Sequence, residues 1–145
     1  MKSPYVRLLC RTLALSAAIG WMIFILNISS QSGQDIEQGI EWLWWLGQSV
    51  SVIGHLVIYA ILAIFYVLNI FVWVMNSAFK VKWLSIVILL SGLFAIFDEI
   101  QQSSVAGRYG SIQDVLVDVI GAIGVVILCK LTWMYRNNRH IKQSN

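Results

Sequence analysis

Residues 50–75 read VSVIGHLVIYAILAIFYVLNIFVWVM, a stretch without Asp, Glu, Lys or Arg. A helix that crosses a bilayer needs about 20 mainly apolar residues, so this segment predicts a transmembrane helix. Residues 8–29, 83–101 and 114–133 form three further candidates, and the third span reaches this length only by including the polar turn after Phe97. Because 59% of all residues are apolar and 12% are charged, the composition is also that of a membrane protein. The sequence predicts an all-α integral membrane protein with four transmembrane helices in one domain, residues 1–145.

The basic residues are distributed unevenly across the predicted membrane. Nine of the ten lie on one side: Lys2, Arg7, Arg11, Lys80, Lys82, Lys130, Arg136, Arg139 and Lys142. The positive-inside rule makes that side cytoplasmic. We therefore expect both termini and the tail, residues 134–145, in the cytoplasm. These positions leave no basic patch for nucleic acid.

The segment between the first two spans has a helical pattern of its own. In residues 34–48, Ile36, Ile40 and Leu43 recur at helical spacing, while Glu37 and Glu41 take the other face. This pattern predicts an interfacial helix on the external membrane surface. Three tryptophans in the same segment fit an aromatic belt at head-group depth.

The acidic residues lie opposite the basic ones. All seven Asp and Glu residues fall in the predicted outer half, with Arg108 as the only base among them. Ionisable groups at membrane depth are energetically costly and usually functional. At about 1.5 Å per residue, His55 and Asp118 lie at similar depths, on the order of 8 Å inside their spans. We therefore expect a polar intramembrane site that opens outward.

The residue types in this region suggest roles. His55 is the natural proton carrier near neutral pH, oriented by Asp118 or Asp98, and Arg108 can hold a phosphate or carboxylate with two hydrogen bonds. The catalytic candidates are His55, Asp98, Glu99 and Asp118. The substrate-binding candidates are Arg108, Tyr59, Gln102, Ser111, Asp114, Ser30 and Gln31. The carboxylates also offer oxygen ligands to a divalent cation such as Mg²⁺.

Three motifs in this order resemble the VanZ-like family of small integral membrane proteins. They are Ser29-Ser30-Gln31-Ser32, Gly54-His55-x3-Tyr59-x2-Leu62 and Asp98-Glu99-x-Gln101-Gln102-x4-Gly107-Arg108-x2-Ser111-x2-Asp114-x3-Asp118-x2-Gly121. The resemblance implies a location in the cytoplasmic (inner) membrane of a bacterium. It also implies a role in the cell envelope, in the handling of cell-wall or lipid-linked material, with glycopeptide tolerance as one outcome. Three positions depart from the family pattern. Ser51 and Val52 stand where a Lys or Arg is common, Ile58 where Glu is frequent, and Gln101 where many members have His.

Two interpretations of the polar region remain open at this stage. In the first, the site binds or modifies an envelope lipid or a lipid-linked cell-wall precursor. In the second, the protein is a non-catalytic membrane binding or scaffold protein whose charges form a closed structural network. The sequence leaves open whether the protein is an enzyme and how many copies associate.

Overall fold

The fold was obtained as a computed structural model, which describes residues 3–39, 41–42, 49–73 and 81–144. These parts of the chain contain five helices and no β-strand. The helices are α1 (Pro4–Ser29), α2 (Gly33–Gly39), α3 (Ser49–Trp73), α4 (Val81–Gln102) and α5 (Ile112–Ser144). All but α2 contain a segment long and apolar enough to cross a membrane: Pro4–Ser29, Ser49–Trp73, Trp83–Gln102 and Ile112–Arg136. The predicted all-helical fold with four membrane spans is confirmed, while the orientation of the termini stays a prediction.

The main packing interface joins α3 to α5, and α4 packs against α5 beside it. Small residues line this interface and allow the helices to pack closely. Ala63 of α3 and Ala122 of α5 are fully buried there in one cluster with Val87. Gly121 of α5 lies against the backbone of α3, where a Cβ at that position would be 2.5 Å from the carbonyl oxygen of Leu56. Small residues commonly allow such close approach between membrane helices.

Helix α1 is held against α3 by packing and by side-chain hydrogen bonds, one of which runs from Tyr66 Oη to Met22 Sδ over 3.5 Å. Trp21 Nε1 donates to the carbonyl oxygen of Ile58 over 3.0 Å, and Asn69 Nδ2 donates to the carbonyl oxygen of Ala14 over 2.8 Å. Such bonds are common between membrane helices because unpaired donors are costly in lipid.

The predicted interfacial helix is described only in part. Helix α2 covers Gly33–Gly39, and Trp42 beyond it is 73% exposed. Residues 40 and 43–48, which include Trp44 and Trp45, lie outside the described residues. At the other end of the chain, α5 continues past Arg136 to Ser144, so the predicted tail is helical over these residues.

The connections place four helix ends together. Helices α1 and α4 end, and α3 and α5 begin, at one end of the bundle, which we call the polar end. The two connections at this end also touch, because a Cβ at Gly33 would lie 3.4 Å from the carbonyl oxygen of Gly107. The site residues predicted from sequence are all in or near this end.

Candidate functional site

A cavity of about 280 Å³ lies at the polar end, with walls from α1, α2, α3, α4 and the connection between α4 and α5. Five aliphatic side chains form its apolar wall: Ile25, Ile28, Ile36, Val50 and Ile58. Seven polar side chains also line it: Ser29, Ser51, His55, Tyr59, Asp98, Gln102 and Arg108. Helix α5 packs against α3 and α4 but contributes none of the described residues of this lining.

His55 pairs with a buried acid of α5. Its Nδ1 lies 3.1 Å from Asp118 Oδ1, and the side chains are 13% and 0% exposed. The pair forms because Gly121, one turn after Asp118, lets α5 approach the α3 backbone at Leu56. Sequence reasoning offered Asp118 or Asp98 as the acid that orients His55, and the structure places Asp118 there.

Asp98 and Gln102 belong to a chain of hydrogen bonds across the cavity. Tyr59 Oη donates to Asp98 Oδ2 over 3.3 Å. Gln102 Nε2 donates to the same oxygen over 3.4 Å and to Ser29 Oγ over 3.2 Å. This chain joins α1, α3 and α4 through side chains that are themselves buried.

Arg108 is linked to this chain through a neutral partner. Its Nη2 donates to Gln102 Oε1 over 2.7 Å, while its Nη1 is buried and has no hydrogen-bond partner among the residues that the structure describes. No carboxylate in the described part of the chain forms an ion pair with Arg108. One arm of the guanidinium is therefore fixed, and the other carries unused donors.

Glu99 is held by the start of α5. The backbone N–H of Ser111 donates to Glu99 Oε2 over 2.7 Å, and Ser111 Oγ accepts from the backbone N–H of Gln113 over 3.2 Å. Ser111 thus caps α5 in the usual manner of a serine at a helix start. Gly107, with a φ of +78°, takes the left-handed conformation that lets the chain turn back before this cap.

The structure brings some of the predicted site residues together and keeps others apart. His55, Tyr59, Asp98, Gln102 and Arg108 line one cavity, and the buried Glu99 and Asp118 adjoin it. Glu99 and Asp118 are not part of the lining itself, and the other four candidates also lie outside it: Ser30, Gln31, Ser111 and Asp114. Of these, Ser30 donates to the carbonyl oxygen of Leu26 over 2.6 Å and accepts from Gln101 Nε2 over 2.6 Å, so it fastens the end of α1 to α4.

Two polar residues of the lining, Ser29 and Ser51, and Ile36 of α2 are not predicted from the sequence as site residues. Ser29 is 4% exposed and accepts from Gln102, whereas the sequence favours the neighbouring Ser30 and Gln31. Its spacing of four residues from the buried Ile25 would have placed it on the inner face of α1. Ser51 precedes His55 by one turn and lies on the same side of α3. Nothing in the sequence indicates that Ile36 of α2 reaches the cavity.

Buried oxygen atoms without partners mark the region behind the cavity. Asp98 Oδ1, Glu99 Oε1 and Asp118 Oδ2 make no hydrogen bond with any part of the chain that the structure describes. Ligand atoms of His55, Glu99 and Asp118 also lie within 4.8 Å of one another, which is a grouping that could hold a metal ion. Native proteins rarely leave buried polar atoms unpaired, so each of these oxygens needs an explanation.

Comparison with known proteins adds a family to this geometry. No curated protein and no solved structure was found that matches the chain. The sequence does match the profile of the VanZ/LLP1 family over residues 14–134, a range that includes every residue of the candidate site. This match confirms the resemblance carried by the three motifs, and the chain belongs to the VanZ/LLP1 family.

Proposed function

We propose that this protein binds an amphipathic ligand with an anionic head group, such as an envelope lipid or a lipid-linked cell-wall precursor, in the cavity at the polar end. Arg108 carries the proposal. It lines the cavity, its Nη2 is held by Gln102, and its buried Nη1 has no partner among the described residues. A guanidinium donates paired hydrogen bonds to phosphate or carboxylate oxygens, so the unused donors of Arg108 suit such a group.

The cavity walls suit the other half of an amphiphile. Its five aliphatic side chains would contact an acyl or prenyl chain, and its polar side chains would contact the head group. Ligand pockets usually measure about 300–1,000 Å³, and this one, at about 280 Å³, lies at the lower limit. It suits a head group and the first part of a chain, with the rest of the chain in the bilayer.

The distribution of charge indicates the side of the membrane to which the cavity opens. Because the basic residues cluster away from the polar end, we infer that the site faces the outer surface of the bacterial cytoplasmic membrane. Envelope lipids and cell-wall precursors are present on that surface. A role there agrees with the envelope function that the resemblance to VanZ-like proteins implies, including tolerance to glycopeptide antibiotics.

The alternative is a closed structural network, and it has less support. In such a network Arg108 would compensate the buried acids. The one ion pair among the described residues instead joins His55 to Asp118, and Arg108 bonds to a neutral amide. The base is therefore not used to balance the acids, which favours a ligand for it.

A second candidate function is chemical modification of the bound head group. It is favoured by the contact between His55 and Asp118, because a carboxylate beside an imidazole orients a general base. Membrane lipids from cells with the wild-type protein and with His55→Gln would be compared by mass spectrometry. A product that is present only with the wild-type protein supports modification, and identical profiles restrict the function to binding.

The binding proposal is tested by substituting Arg108. Lipids that co-purify with the wild-type protein, Arg108→Gln and Arg108→Lys would be extracted and identified by mass spectrometry. A hydrogen bond to a charged group contributes about 1.5–3 kcal/mol, so we expect Arg108→Gln to reduce the retained anionic lipid by at least about tenfold. Arg136→Gln, the same change at an exposed position far from the polar end, is the matched control and should retain the lipid.

Stability measurements separate a ligand site from a scaffold. If Arg108 faces a ligand, Arg108→Gln should unfold at nearly the wild-type temperature while any glycopeptide tolerance that the protein confers is lost. The proposal would be contradicted if Arg108→Gln lowered the free energy of unfolding by more than about 2 kcal/mol and adding Asp118→Asn restored part of it. That result would show that Arg108 belongs to an internal network of charges.

A further inference from the structure

We propose that His55, Glu99 and Asp118 form a binding site for a divalent cation, with Zn²⁺ as the preferred ion. The three residues come from three helices, α3, α4 and α5, and their ligand atoms lie within 4.8 Å of one another. Nitrogen and oxygen ligands of one zinc ion are each about 2.0–2.2 Å from it, so neighbouring ligands lie roughly 3.0–3.6 Å apart. The 3.1 Å between His55 Nδ1 and Asp118 Oδ1 already has this spacing.

Unpaired oxygen atoms of the two carboxylates are evidence for a ligand in addition to the close grouping of the three residues. In Glu99, Oε2 accepts from the backbone N–H of Ser111 over 2.7 Å, while Oε1 is buried and has no partner in the described ranges of the chain. In Asp118, Oδ1 contacts His55, while Oδ2 is buried and likewise has no partner in those ranges. Glu99 is thus oriented by a hydrogen bond from outside the group and has an unused acceptor on its other oxygen, as metal ligands commonly do. Asp118 can offer Oδ2, or Oδ1 if an ion replaces the proton shared with His55.

Charge balance also favours a cation at this position. The residues Glu99 and Asp118 are 6% and 0% exposed, and a buried carboxylate without compensation is strongly unfavourable. The base that is nearest in sequence, Arg108, bonds to Gln102 instead. A divalent ion between the two acids would supply the missing positive charge and occupy their unpaired oxygens.

The donor set indicates the kind of ion. One imidazole nitrogen with two carboxylate oxygens suits Zn²⁺, and Mn²⁺ less well, because imidazole is a preferred ligand of Zn²⁺ and carboxylates suit both. Mg²⁺ prefers oxygen ligands and several waters, so it should bind more weakly. Three protein ligands leave one coordination position open, as in catalytic zinc sites.

This inference does not depend on the proposed lipid ligand. It does compete with the role of His55 in head-group modification, because a histidine that ligates an ion through Nδ1 is no longer oriented by Asp118 as a proton carrier. Metal binding would be measured on detergent-solubilised protein without added lipid, so that its failure and that of the lipid proposal are distinguishable.

The experiment titrates the full chain, stripped of metal with EDTA, with Zn²⁺, Mn²⁺ and Mg²⁺ separately in a calorimeter. We expect one Zn²⁺ per chain, with Mn²⁺ weaker and Mg²⁺ weakest. Glu99→Gln and Asp118→Asn should each weaken Zn²⁺ binding by at least tenfold. Asp35→Asn removes an acid from the same end of the bundle at an exposed position and should leave binding unchanged.

A second measurement needs no variant and covers the case in which the substituted proteins do not fold. X-ray absorption spectra of the Zn²⁺-loaded wild-type protein should show one imidazole nitrogen with oxygen ligands. The proposal is overturned if no ion binds at one per chain at millimolar concentration. It is equally overturned if Glu99→Gln and Asp118→Asn bind as the wild type does, or if the spectrum lacks the imidazole.

Discussion

Replacing Gly121 with Ala should separate α5 from α3 and weaken the bundle. The new Cβ would lie 2.5 Å from the carbonyl oxygen of Leu56, and a backbone atom cannot move aside as a flexible side chain can. Carbon and oxygen atoms in close helix contacts are normally about 3.3–3.6 Å apart, so the helices must separate by about 0.8 Å. His55 and Asp118, now 3.1 Å apart, would then exceed the usual hydrogen-bond range of about 2.7–3.2 Å.

The magnitude follows from two opposing effects. Overpacking a close contact usually costs about 1–3 kcal/mol, while Ala in place of Gly in a helix contributes up to about 1 kcal/mol of stability. Gly124→Ala is the matched control, because it lies in the same helix and a Cβ there has no neighbour within 4 Å. The propensity gain is common to both variants, so Gly121→Ala should be less stable than Gly124→Ala by about 1–3 kcal/mol.

The assay is unfolding in detergent micelles, followed by the helical circular dichroism signal, for the two variants and the wild type. Gly121→Ala should unfold first, and Gly124→Ala should unfold with or after the wild type. If Gly121→Ala proves as stable as Gly124→Ala, then α5 and α3 are not in close contact at Leu56. The contact between His55 and Asp118 would then not depend on the small size of Gly121.

Three further predictions concern topology and the attachment of α1. Labelling of single cysteines from outside the cell should reach Gln38→Cys and spare Asn138→Cys, and the reverse pattern would invert the proposed orientation. Trp21→Phe removes the donor to the carbonyl oxygen of Ile58 and should lower the free energy of unfolding by about 1 kcal/mol in chemical denaturation. Asn69→Leu removes two hydrogen bonds to backbone carbonyls and should lower it by about 0.6–1.7 kcal/mol, whereas no change would show that these bonds do not hold α1.

Helix number and the members of the site follow from simple periodicity. Four apolar segments of sufficient length fix four spans, because a bilayer allows few other structures for them. The spacing of four residues between His55 and Tyr59 puts both on one face of α3, and both line the cavity. The depth argument for His55 and Asp118 also agrees with the structure, where they are in contact.

Partner choice within the site depends on helix rotation, which a single sequence does not fix. Asp98 and Asp118 are at similar depths, but α5 turns Asp118 toward His55 while α4 turns Asp98 toward Tyr59. Asp114 has the same spacing from Asp118 as His55 has from Tyr59, yet it lies outside the cavity lining because α5 forms no wall there.

Helical periodicity does not predict the contacts of residues in the connections between helices. Arg108 follows Gly107, whose left-handed conformation determines where the chain turns next. Its link to Gln102 rather than to an acid depends on that turn. Ser111 is predicted from the sequence to bind substrate. In the structure its backbone N–H holds Glu99 and its Oγ caps α5, because a serine that precedes a helix commonly accepts a hydrogen bond from a free N–H of the first turn.

The single imidazole between the cavity and Asp118 acts as a partition. The ring of His55 forms part of the cavity wall, and the carboxylate behind it is fully buried and outside the lining. Shortening this one side chain to glycine would therefore join the cavity to the acid and leave a hole of the shape of an imidazole ring. Free imidazole added to such a protein should bind in that hole beside Asp118, so the partition could be removed by mutation and restored from solution.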